Sequence, residues 1–161
     1  MAQFLLNILI AVLWTLFGDQ DQFYLSTFLR GYMVGIIIVF FINHFFGGKF
    51  YLYKVWVILK LFLVFNYELL TSSLTTSRYI LFNAEKIHPG LVTYETELKE
   101  NWQITILTLL IILTPGSVVL RISDDNSKLL IHALNQDSLE NEKLVKSIRN
   151  YERLITEVAY A

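Results

Sequence analysis

The sequence predicts a membrane α-helical hairpin followed by a small α/β domain with the element order β-α-β-β-α. Three observations predict it. Residues 1–48 contain only Asp19, Asp21 and Arg30 as charged side chains, whereas residues 114–161 carry thirteen. The 55% hydrophobic content and mean hydropathy of +0.50 therefore average over two different solvents. Beyond His88, the hydrophobic pattern also changes from continuous runs to alternation, the period of a half-exposed strand.

The first apolar run, Phe4 to Phe17, is interrupted only by Asn7 and Thr15. It is slightly short for a bilayer core, which needs about 17–25 residues, and Ala2, Gln3 and Gly18 extend it. No Lys or Arg precedes it and no small-x-small cleavage site follows, so it reads as a retained helix, not a signal peptide. The polar GDQDQ turn leads to a second run, Phe28 to Phe46, long enough for a full span. Runs that are apolar all round favour the membrane over a buried hairpin in a soluble protein. Asp19 and Asp21 occupy the turn, whereas Lys49, Lys54 and Lys60 follow the second run. Basic residues favour the cytoplasmic side, so the N-terminus and everything after Gly48 start inside.

Residues 49–86 form the third segment. Val55 to Phe65 is nearly all apolar, but Lys60 stands in its middle and Glu68 follows. A charge near the bilayer centre costs about 2.5–3.5 kcal/mol on insertion scales. The TSSLTTS stretch is polar enough to leave the membrane. The expected structure is an amphipathic helix along the cytoplasmic interface, with its long side chains snorkelling. A third span is the alternative, which needs a fourth at Ile104 to Leu113 to return the chain. That run has ten residues, too few to cross unaided.

Residues 87–161 make up the α/β domain. Pro89-Gly90 marks a turn. LVTYETEL then places Val92, Tyr94 and Leu98 on one face and Thr93, Glu95 and Glu97 on the other. Asn101 is the expected cap of a helix from Trp102 to Leu113. Pro115 stops that helix, because the residue before proline is pushed out of helical geometry. SVVLRIS (Ser117 to Ser123) and LLIHAL (Leu129 to Leu134) are strand-forming runs joined by DDNSK, and so form a hairpin. Asp137 with Glu140 resembles a capping box opening a last helix, with an apolar stripe at Leu144, Ile148, Tyr151, Ile155 and Val158. A right-handed crossover makes the first two strands parallel, and the hairpin adds an antiparallel neighbour. The expected result is an incomplete ferredoxin-like sheet of three strands with two helices. Its small core leans on a partner or on the membrane.

Few residues offer chemistry. A net charge of −1 lacks the basic patch of a nucleic-acid binder, and without cysteine there is no thiolate metal site. His44, His88 and His132 are scattered without ligand spacing, no serine sits in a nucleophile elbow, and no glycine-rich loop cradles phosphate. No metal site or cofactor is read from the sequence. An ion path needs ionisable groups at membrane depth. The two runs supply almost none: Arg30 lies near an end, and Asn7 suits a bond to a neighbouring helix. Lys60 and Glu68 are the candidates for ion-path or interfacial charges, yet they lie about 12 Å apart along a helix and cannot pair directly. Gly31 and Gly35 have the small-xxx-small spacing of a helix-packing face. Thr114, Pro115 and Gly116 form the most constrained local feature, a helix stop whose threonine hydroxyl can take up a freed backbone group.

FLLNILIAVLW, FLRGYMVG, FYLYKVWVILKL, HPGLVTYETEL, NWQITILTLLIILTPGSVVLRISDD and LLIHAL, in this order, resemble the E subunit of Mrp (Mnh, Sha) antiporters. The LTPG corner followed by a strand and SDD is the most specific portion. The resemblance implies a non-catalytic structural and assembly subunit of a seven-component Na+/H+ antiporter in the cell membrane. Its partners are then subunits A, B, C, D, F and G, with contacts between protomers of a complex dimer. Thr114 and Pro115 match the family's signature corner. The alternative is a subunit that itself lines part of the ion path through its third helix.

Overall fold

Apolar side chains on every face leave the backbone of the opening segments no better option than to satisfy itself as helix. The computed structural model describes residues 2–18, 24–46, 50–135 and 138–160. Asp19, Asp21, Lys49 and the Asp137 cap lie outside the described residues. The chain divides into two units, one reaching to Trp56 and one from Val57 to Tyr160.

The first unit holds α1 (Ala2–Leu16) and α2 (Leu25–Phe46), and the start of α3 (Tyr51–Phe82). Ala11, Asn7 and Val39 are buried, while Leu5, Leu9, Leu13, Met33, Ile37 and Phe41 face outward. So many exposed apolar side chains require lipid or protein around them. Among the described residues, α2 and α3 are the two helices long and apolar enough to cross a bilayer. α1, at 15 residues, rises only about 22 Å against a hydrocarbon core of about 30 Å.

The second unit contains most of α3, then β1 (Gly90–Glu95), α4 (Asn101–Leu113), β2 (Ser117–Ile122), β3 (Lys128–Ala133) and α5 (Ser138–Tyr160). The three strands form one antiparallel sheet in the order β1-β3-β2. Both outer strands are antiparallel to β3, so β1 and β2 run the same way with β3 between them. The β2–β3 hairpin turns at Asn126, whose φ of 58° is a conformation asparagine tolerates. Leu120 is an extra residue in β2, since Val119 faces Ile131 and Arg121 faces Leu130.

The core lies on one face of this sheet. Tyr94, Leu129 and Ile131 meet Ile104, Leu107 and Ile111 of α4 and Ile148, Tyr151 and Ile155 of α5. Of the predicted stripe on α5, Ile148, Tyr151 and Ile155 are buried in this core and Leu144 packs against it, whereas Val158 is half-buried. α4 begins one residue earlier than expected. Glu100 is its cap, with Gln103 Oε1 accepting the Glu100 N–H at 3.3 Å. Asn101 instead accepts a hydrogen bond from Asn126 Nδ2 at 2.8 Å and so ties the hairpin turn to the helix.

Candidate functional site

The corner between α4 and β2 is built from its sequence outward. Pro115 pushes Thr114 to φ −85°, ψ 124°, and α4 ends at Leu113. The carbonyl of Ile111, freed by that ending, accepts the Thr114 hydroxyl at 2.7 Å and the Ser117 hydroxyl at 3.1 Å. Gly116 sits at φ +99°, in the region that favours glycine, and its carbonyl accepts the Leu134 N–H at 2.8 Å. Thr114 and Ser117 are buried. The corner is rigid because three consecutive residues each have a backbone reason to be there.

α3 docks on that corner. Pro115 O accepts the Ser72 hydroxyl at 2.9 Å and the Thr76 hydroxyl at 3.5 Å. Higher on the same helix, Leu61, Val64 and Phe65 pack against the core of the second unit. Leu61, Phe65, Glu68, Ser72 and Thr76 follow steps of four, three, four and four, so they share one helical face. The polar TSSLTTS stretch supplies hydroxyls to the corner, a role that sequence reading missed. The signal was the i, i+4 spacing of Ser72 and Thr76.

Lys60 and Glu68 are not brought together. Lys60 is exposed, whereas Glu68 accepts a short hydrogen bond from the Ser147 hydroxyl of α5. Tyr151 lies buried beneath, and burial followed by the charge of Glu68 pushes its hydroxyl pKa upward. A cleft of about 890 Å³ opens between α3, the corner and α5. Sequence reading also passed over Glu152. This buried carboxylate accepts the Tyr94 hydroxyl in a short bond, the Thr96 hydroxyl at 2.6 Å and the Glu97 N–H at 2.6 Å. Burial, then the bond to Glu152, raises the Tyr94 pKa. Its place between Tyr151 and Ile155 on the buried stripe was the available signal.

In the first unit, Gly31 and Gly35 are where α1 and α2 touch. A Cβ on Gly31 would lie 2.6 Å from Trp14 Cβ, and one on Gly35 would lie 2.0 Å from Asn7 Oδ1. Polar side chains here bond to one another. Asn7 Nδ2 donates to the Tyr51 hydroxyl at 2.8 Å, Gln3 Nε2 donates to Asn43 Oδ1 at 2.9 Å, and Gln3 Oε1 accepts the Tyr51 N–H at 2.9 Å. Asn7 therefore holds a neighbouring helix, as its type and position predict.

Residues 7–158 match the family described as MNHE, Na+/H+ ion antiporter subunit. The chain belongs to the MnhE family. A candidate antiporter subunit mnhE2 of Staphylococcus epidermidis is 51% identical over 158 residues, covering 98% of this chain and 99% of that protein. The protein of the same description in Staphylococcus haemolyticus is 50% identical over 159 residues, covering 99% of each. A chain of the archaeal membrane-bound sulfane sulfur reductase, a respiratory membrane complex, shares the fold. It superposes with a TM-score of 0.54 over 95% of this chain and 98% of that one, at 19% identity. A chain in the Mrp complex from Dietzia sp. DQ12-45-1b superposes only loosely, with a TM-score of 0.43 at 25% identity over 60% of this chain and 89% of that one. As a member of the MnhE family, the chain is a subunit of a multisubunit Na+/H+ antiporter, a membrane transporter component and not an enzyme.

Proposed function

We propose that the chain is a non-catalytic assembly subunit, a multi-pass membrane anchor whose α/β domain lies on the cytoplasmic side and presents surfaces to the other antiporter subunits. The observation that carries this is how its polar groups are used. In the first unit, Gln3, Asn7, Asn43 and Tyr51 bond to one another and fix helices. In the second, Glu68 bonds Ser147, and the hydroxyls of Ser72 and Thr76 bond Pro115. Groups occupied in holding helices are poorly placed to ligate a moving ion.

The same packing favours α3 lying along the cytoplasmic interface. From Leu61 to Thr76 one face of α3 is covered by the charged second unit, while Ile58, Leu59, Phe62, Leu63 and Leu70 stand exposed on its other sides. A helix apolar on one side and docked to a water-soluble domain on the other suits the boundary of the bilayer. The element order and the β1-β3-β2 arrangement support an incomplete ferredoxin-like domain, with residues 1–48 as the membrane hairpin. The expected partners are subunits A, B, C, D, F and G, and the corner at Thr114, Pro115 and Gly116 is a docking point among them, with contacts between protomers of a complex dimer.

Lys60→Gln and Glu68→Gln variants test the reading by antiport in inverted vesicles, with the complex resolved on native gels. Normal antiport in Lys60→Gln, and Glu68→Gln losses that track lost assembly, are expected. Loss of antiport in a fully assembled complex would assign α3 to the ion path instead. Cysteines placed between residues 85 and 100 should react with impermeant reagents only from the cytoplasmic side.

A further inference from the structure

The cleft between α3 and α5 has a charge that the assembly role does not use. Its walls carry Lys143, Lys146, Arg149 and Arg153 against Glu68 and Glu140, four bases to two acids. Both acids are already engaged, Glu140 by Lys143 Nζ at 2.7 Å and Glu68 by the Ser147 hydroxyl. The bases recur at every third or fourth position of α5, so they line one helical face. Opposite them, α3 contributes the hydroxyl-bearing Thr75 and Tyr79. A cavity of this size with surplus positive charge and hydroxyl donors suits a group bearing phosphate oxygens.

The exposed apolar face of α3 chooses the source of that phosphate. Exposed apolar side chains continue along α3 from Ile58, Phe62 and Leu63 through Leu70 and Leu74 to Phe82, and the hydroxyl-lined cleft from Tyr67 to Tyr79 lies beside them. On a helix lying along the bilayer boundary, a polar cleft bordered by such an apolar face sits at headgroup depth, where basic side chains attract anionic lipid. We propose that the cleft between α3 and α5 binds the headgroup of an anionic phospholipid, with Lys146 and Arg153 as its principal cationic contacts. The inference rests on the interfacial placement of α3 proposed above.

The test uses the full chain in mild detergent, with retained lipid counted by native mass spectrometry. Phosphatidylglycerol, phosphatidylcholine and inorganic phosphate are the probes. Phosphatidylglycerol should be retained at least about tenfold more than phosphatidylcholine. The K146Q/R153Q double variant should remove that preference. The K99Q/R121Q double variant, which removes the same charge away from the cleft, should keep it. Equal loss in both variants, no loss in K146Q/R153Q, or displacement of the lipid by equimolar inorganic phosphate would overturn the proposal. So would protection of Lys146 from an amine-reactive reagent that persists in the delipidated complex, which would hand the cleft to a protein segment. Cysteine labelling between residues 85 and 100 separates this from the earlier reading. Selective lipid retention with the domain labelled from outside overturns only the cytoplasmic placement, whereas lost selectivity with the domain inside overturns only the lipid site.

Discussion

Adding one methyl group at Gly31 should cost more than adding it at Gly35, although the new atom at Gly35 has the shorter contact. At Gly31 the Cβ would meet Trp14 Cβ at 2.6 Å and Ala11 Cα at 3.1 Å, atoms fixed to the α1 backbone. Relief requires the helices to part by roughly 0.8 Å, which forfeits a quarter to a half of each close contact. Overpacking of this kind costs about 1–3 kcal/mol, and the better helix propensity of alanine returns at most about 1 kcal/mol. A net loss of about 1–2 kcal/mol follows for Gly31→Ala. At Gly35 the 2.0 Å contact is with Asn7 Oδ1, the end of a side chain that can swing aside at the cost of its bond to Tyr51. That bond contributes about 1 kcal/mol, so Gly35→Ala should come out close to neutral. In an Asn7→Ala background the nearest remaining contact is Asn7 O at 3.3 Å, and Gly35→Ala should then be neutral or stabilising. Thermal melting of the full chain in detergent reads these differences at roughly 2–4 °C per kcal/mol. A higher melting temperature for Gly31→Ala, or the same cost for Gly35→Ala in both backgrounds, would refute the reasoning.

Glu152→Ala removes a buried acceptor from the Tyr94 hydroxyl, the Thr96 hydroxyl and the Glu97 N–H. It should cost about 3 kcal/mol, seen as faster hydrogen exchange across residues 94–98. Gly116→Ala at φ +99° should lose about 1–2 kcal/mol, with a Cβ only 3.2 Å from the Thr76 hydroxyl adding to the strain. The melting temperature reports this, and Thr76→Ala should recover part of the loss. Ser72→Ala deletes one hydroxyl bond to Pro115 and should cost about 1 kcal/mol. A second substitution at Thr76 should then free the end of α3 to exchange. The hydroxyls of Ser123 and Ser127, with the Ser127 N–H, hold the Asp125 pKa down to about 2. A carboxylate whose pKa is lowered on folding stabilises the fold above its ordinary value of about 3.9 and loses that contribution as pH falls toward the folded value. The hairpin turn should therefore keep its form through pH 4 and loosen toward pH 2, and Ser127→Ala should raise the Asp125 titration seen by carbon NMR.

Much of this was legible along the chain because it is local. The apolar runs fix helices, Pro115 fixes the end of α4, the DDNSK turn fixes a hairpin, and the spacing of Leu144, Ile148, Tyr151 and Ile155 fixes the buried face of α5. Each depends on residues within a few positions of one another. The family was legible for the same reason, since its signature segments are contiguous. What the sequence did not disclose involves partners far apart in the chain. Ser72 and Thr76 look like residues leaving the membrane until Pro115, some forty positions later, is seen to accept their hydroxyls. Glu68 looks like an ion-path or interfacial charge until Ser147 is found beside it. Nor does the alternation of β1 reveal that β3, not β2, is its neighbour. Patterning states which face of an element is apolar, but only packing in three dimensions decides what that face meets, because the hydrophobic effect rewards burial without naming a partner.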